Sequence, residues 1–172
     1  MSLTVVHVPA TGHVVGAITG TGLPDEPALI DLVGPDALVL HLRTGDNNIA
    51  ELRLPVADLA VATVPDPLNA LVTPMAYQFD KTGPKLVKLS DSLVSKHPVA
   101  LTNNAVTVTV STAVTEDTAV VVVLGTDQPP LTDTLAKNSS TLTLPTSLDP
   151  GTYAVLLLMA GQFGLLDVCK VS

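Results

Sequence analysis

A chain of 172 residues, 47% of them apolar, can bury one substantial core or two small ones. Its net charge of −8, from 8 Lys and Arg against 16 Asp and Glu, repels phosphate backbones and argues against nucleic acid as a partner. Two Phe, two Tyr and no Trp leave little material for a sugar platform or a base-stacking surface, and the single cysteine, Cys169, has no internal disulfide partner.

Short runs of Val, Thr, Leu and Ile alternate with 14 prolines and 11 glycines, so strands are the expected elements and the fold class is all-β. In the first part, strands are predicted over 4–8, 13–19, 28–32, 37–43, 49–54 and 60–64. They are joined by turn sequences such as "ATG", "GPD" and "TGDNN". The stretch "VGPDALVLHLRTGDNNIAELRLP" reads as an antiparallel pair. Leu38, Leu40, Leu42, Leu52 and Leu54 fall on its inner face, and His41, Arg43, Glu51 and Arg53 on its outer face. Residues 1–68 are expected to form a small β domain, a barrel or a meander. A Pro-rich divide follows, and 69–84 read as a linker.

Beyond the linker a strand is predicted over 85–89, a short one over 99–101, and then clearer patterns. "AVTVTVST" alternates with Val106, Val108 and Val110 inward, and "STLTLP" with Leu142 and Leu144 inward. "TAVVVVLG" and "GTYAVLLLMAG" do not alternate; both of their faces are apolar. "GLLDVCKVS" supplies a closing strand, with Cys169 as an inert, buried thiol. About seven strands at this spacing in residues 85–172 suggest an immunoglobulin-like sandwich.

Two strands with apolar side chains on both faces need cover on both. The rest of the chain and a neighbouring subunit are both able to supply it, and no apolar run approaches the ~20 residues of a membrane-spanning helix. The candidate interaction residues are Leu156 and Leu158, followed by Val120 and Val122. Basic residues cluster as Lys81, Lys85, Lys88 and Lys96, either guarding an edge strand or docking on an acidic neighbour. Residues 1–79 carry two basic against eight acidic side chains, so another copy's N-terminal half would serve as that neighbour.

No motif points to catalysis. His7 and His13 flank a turn but have no third convergent ligand. The glycines of "GAITGTG" precede no helix that would hold a phosphate. The paired acids Asp25–Glu26 and Glu116–Asp117 read as solvated turn residues. Neither an enzyme nor a cofactor nor a metal is expected. The N-terminus lacks the basic and apolar regions of a signal peptide, which places the chain in the cytoplasm or within an assembled particle.

The segment "AVTVTVSTAV…AVVVVLG…STLTLPTSLDPGTYAVLLLMAGQ" resembles small bacterial Ig-like domains attached to proteins of contractile phage-tail-like injection particles. The resemblance spans Ala105 to the end and departs from that pattern at Ala154, Leu156, Leu158 and Ala160, where polar residues are usual. It implies a structural module with no catalytic residues. The expected function is a structural subunit of a large symmetric assembly, such as a phage-tail-like particle or virion. Its partners would be other copies of itself and other particle subunits. A sandwich that binds carbohydrate or a cell-surface partner is the alternative, which the scarcity of aromatics disfavours.

Overall fold

The computed structural model describes residues 2–20, 27–43, 48–65, 68–80, 82–90 and 94–172. The β-branched and aliphatic runs become strands, and the fold is all-β. The N-terminal part holds β1 (Ser2–His7), β2 (Val14–Ile18), a helix α1 (Leu29–Val33), β3 (Ala37–Arg43), β4 (Ile49–Pro55), β5 (Ala60–Pro65), β6 (Tyr77–Asp80) and β7 (Lys85–Lys88). β1 lies between β2 and β5, antiparallel to both, while β3–β4 and β6–β7 form separate antiparallel pairs. These sheets are open, so no barrel closes.

The C-terminal part holds β8 (Val94–Leu101), β9 (Ala105–Val110), β10 (Thr118–Leu124), β11 (Leu131–Leu135), β12 (Thr141–Pro145), β13 (Gly151–Met159) and β14 (Leu165–Val171). They make two sheets, β12-β9-β8 and β11-β10-β13-β14. A first core fills the space between them: Val106, Val108 and Leu144 from one sheet meet Val120, Val122, Val155, Leu157 and Met159 from the other. At the entry to β13 the Tyr153 hydroxyl donates to the Asp149 carbonyl at 2.8 Å, bracing the Pro150–Gly151 turn against the strand that follows it.

Three departures from the sequence reading have physical causes. Residues 28–32, expected as a strand, form α1; Leu29, Leu32 and Val33 turn one helical face inward, and the Gly34 N–H closes the turn on the Ile30 carbonyl. Five residues are too few to display a helical period, and four of them are apolar. β11, "LTDTL", has no counterpart among the expected strands, because three of its five residues are polar. Lys85–Lys88, expected to begin the sandwich, instead pairs with Tyr77–Asp80, inside the stretch read as a linker. Ala70, Ala76 and Tyr77 from that stretch are buried with Leu3, Val5, Val14 and Val64 in a further core.

The N-terminal part covers the outer face of the four-stranded sheet. Val121, Val123, Ala154, Leu156 and Leu158 pack with Val6, Val8, Val15, Leu52, Leu54 and Leu59 in a core of their own. Burying Val121, Val123, Leu156 and Leu158 alone is worth roughly 6–12 kcal/mol gross, at ~1.5–3 kcal/mol for each side chain. That rivals the whole net stability of a typical domain, ~5–15 kcal/mol. The N-terminal cover is therefore integral to the folded state. β1 is sandwiched in turn: Val6 faces this core, and Leu3 and Val5 face the next.

Two expectations follow for chemical denaturation. Leu156→Ala should lower the unfolding free energy by about 2–5 kcal/mol, and Leu156→Asp should prevent folding. Tyr153→Phe should cost only about 0.5–1.5 kcal/mol, the net value of one hydrogen bond.

Candidate interaction surface

The apolar residues singled out from the sequence are not at the surface. Leu156, Leu158, Val120 and Val122 are all 0% exposed within one chain. They also lie on opposite faces of the sheet. The register pairs Val121 with Leu158 and Val123 with Leu156 toward the N-terminal cover, and Val120 with Met159 and Val122 with Leu157 toward the first core. Period-two alternation decides which valine joins which leucine, and a valine-only run hides that phase. The expected interaction role of these four is thus corrected: their cover is the chain itself.

Lys85 and Lys88 are exposed on β7. Lys81 lies outside the described residues, as do Asp25, Glu26 and the side chain of Lys96. Lys85 Nζ stands 3.6 Å from Asp80 Oδ2. The Thr82 hydroxyl and backbone N–H, donating to Asp80 Oδ1 at 2.7 and 2.9 Å, hold the Asp80 carboxyl below its ordinary range, and Lys85 adds to this. The pair is solvated and contributes little to stability.

The cover over the four-stranded sheet is incomplete at one side. Reading across its outer face, Val123–Leu156–Leu166 is one row, and Ala154 pairs with Val168 in the next. The β10 and β13 members are buried, but Leu166 and Val168 on β14 remain 36% and 38% exposed. Leu166 also lines a groove of about 370 Å³ with Val72, Met75 and Phe163, and Val72 is 82% exposed. At the opposite side of the sheet the same face ends in Thr132 and Thr134, which are polar and exposed. The uncovered apolar strip is confined to the β14 side. Sequence reasoning missed it because its members come from separate segments.

Both edges of this sheet carry an aspartate on the row that faces the core. Asp133 Oδ1 accepts from the Thr134 backbone N–H at 2.7 Å on β11, and Asp167 Oδ1 from the Val168 N–H at 2.8 Å on β14. Exposed Asp133 and half-buried Asp167 each occupy a backbone donor of their own edge strand, which opposes pairing with another chain.

The turn joining β13 to β14, residues 160–164, is held to the N-terminal part by several bonds. The Phe163 and Gly164 N–H groups donate to the Ser90 and Met75 carbonyls at 3.1 and 3.0 Å, and the Gly161 N–H donates to Gln78 Oε1 at 3.2 Å. His13, 0% exposed, completes the set: its Nε2 is 2.6 Å from the Gln162 carbonyl and its Nδ1 2.9 Å from the Thr11 hydroxyl. A carbonyl only accepts, so Nε2 carries the proton and Nδ1 accepts from Thr11. Burial holds the His13 ring below its ordinary pKa, partly offset by the Gln162 carbonyl. Gly12, beside it at φ 76°, has no room for a Cβ, which would meet Gln78 Cγ at 2.7 Å.

His7 does not pair with His13 as a ligand set; it stacks on Phe79 with ring centroids 4.6 Å apart. Among the described residues no three His, Cys, Asp or Glu side chains converge as a metal site, and no helix is long and apolar enough to cross a membrane. Set against protein-family models, curated proteins and solved structures, the chain matches none.

Cys169 is half-buried against the first core, its Sγ 3.6 Å from the Val99 carbonyl; burial, with Asp167 nearby, pushes its thiol up to about 11. At pH 8 the native protein should react with iodoacetamide much more slowly than the same protein in denaturant, as mass spectrometry of the alkylated fraction would report.

Proposed function

We propose that this protein is a non-enzymatic structural subunit that packs against other protein subunits, further copies of itself included. The observation that carries this reading is the strip Val72–Met75–Phe163–Leu166–Val168. It is an apolar surface left open beside a sheet face whose other large apolar side chains, on β10 and β13, the chain buries. Among the described residues no charged side chain lines the groove part of this strip, which favours a protein surface over a phosphate or a sugar as its occupant.

The C-terminal half is read here as an Ig-like sandwich. Three strands in the order β12-β9-β8 face four in the order β11-β10-β13-β14, and Tyr153 braces its own strand entry as in the tyrosine corner of such folds. The resemblance of residues 105–172 to Ig-like domains of phage-tail-like injection particles is the ground for placing the subunit in such a particle or in a virion. The contact is by face packing. Strand addition, the other route by which sheets assemble, is opposed by the aspartate-capped edges.

Light scattering coupled to size exclusion tests the proposal. The wild-type chain of 17.7 kDa should run as a multiple of that mass, while Leu166→Asp and Val72→Asp should run as folded single chains. Both positions are exposed, so unfolding of these variants is not expected. A wild-type protein that stays at the single-chain mass across concentrations would overturn the self-association.

A further inference from the structure

We propose that His13 is a proton-operated latch: it holds the turn at 160–164 onto the N-terminal part while its ring is neutral, and releases it when the ring takes a proton. The geometry carries the argument. His13 opens the hairpin that β1 and β2 form, yet its ring reaches 149 positions along the chain to the Gln162 carbonyl. Both ring nitrogens are engaged, and the arrangement has a single consistent polarity: Thr11 O–H to Nδ1, and Nε2–H to Gln162 O.

Adding a proton breaks that polarity. Nδ1 becomes a donor facing a hydroxyl that was itself donating, so the Thr11 hydrogen must turn away from the ring. The new charge is enclosed at a position with 0% exposure. Titratable side chains on the surrounding elements are His7 on β1, Tyr77 and Asp80 on β6, Lys85 and Lys88 on β7, and Asp167 on β14. None of them shifts the ring's titration, which burial and the Gln162 carbonyl govern. Among the described residues no carboxylate is therefore in place to stabilise the imidazolium, and opening the turn to water is the way to hydrate it.

The sign is fixed by the depressed ring pKa. The closed turn binds fewer protons than the open one, so closure is fully favoured above the ordinary histidine value of ~6.5 and weakens as pH falls below it. Release would be local. The core beneath the turn, around Leu156 and Leu158, has its own apolar cover. Phe163 and Gly164, which line the groove beside Val72 and Met75, would move with the turn, so acid would reshape that groove whatever occupies it.

Amide hydrogen exchange of the full chain, followed by NMR from pH 7.5 to 5 and corrected for intrinsic rates, tests the latch. The opening constants at Gly161, Phe163 and Gly164 should rise as pH falls below ~6.5, by at most about tenfold per pH unit, while the Val122 and Leu157 amides hold their protection. In His13→Gln, whose amide donates to Gln162 without titrating, the pH dependence should vanish. Flat protection in the wild type would overturn the proposal, and so would loss shared equally by the core amides. An unchanged acid response in His13→Gln would do the same. If that variant does not fold, the wild-type ring can be titrated by its own nitrogen shifts. Loss of protection must then share the ring's midpoint, and a different midpoint sinks the latch.

Discussion

A β-sheet whose two faces are both apolar cannot stand in water on either side, and the arrangement of this chain follows from that constraint. β10 and β13 carry apolar side chains at most positions on both faces, so each face of their sheet needs an apolar layer of its own. The three-stranded sheet supplies one layer. Val6, Val8, Leu52 and Leu54 of the N-terminal part supply the other. Covering the second face makes new demands, because β1 is then buried on both sides as well and requires the further layer built around Ala76 and Tyr77. The stack ends only where a strand alternates. On β9 and β12 that change comes from threonines, with Thr109 opposite Thr141 and both exposed.

The need for two covers was legible in the sequence, and the identity of the second cover was not. Runs such as "AVVVVL" and "AVLLLM" announce burial on both sides through missing polar residues. A missing residue, however, does not name its neighbour. The strands of the first part were readable because Leu40–Leu42 and Leu52–Leu54 alternate with His41, Arg43, Glu51 and Arg53, and those leucines do face inward. α1 was not, because one and a half turns of mostly apolar residues look the same at period two and at period 3.6. The same limit concealed the open strip, since Val72 and Met75 meet Phe163 and Leu166 only after two distant segments have folded together.

Face and edge are treated in opposite ways in this molecule. The β14 side leaves apolar surface open on its face, yet Asp167 faces inward at the edge and occupies a backbone donor of its own strand. Asp133, exposed across the sheet on β11, also occupies a backbone donor of its own strand. A chain this rich in Val, Leu and Thr would otherwise expose long β-prone edges, the usual starting point for uncontrolled association. Capping the edges while leaving only an apolar strip open means that side chains, and not backbones, form the contact surface on offer.

The layered core also sets an order of events during synthesis. Residues 1–65 supply Val6, Val8, Leu52 and Leu54, but the surface these cover does not exist until Leu156 and Leu158 have been made. At ~5–20 residues per second the wait is roughly 5–20 s. Through that interval the N-terminal strands hold an apolar face with nothing against it, while the ribosome is still extending the chain. The eight acidic side chains among residues 1–79, against two basic ones, then have a second use. Like charge keeps neighbouring nascent chains apart until each acquires its own cover.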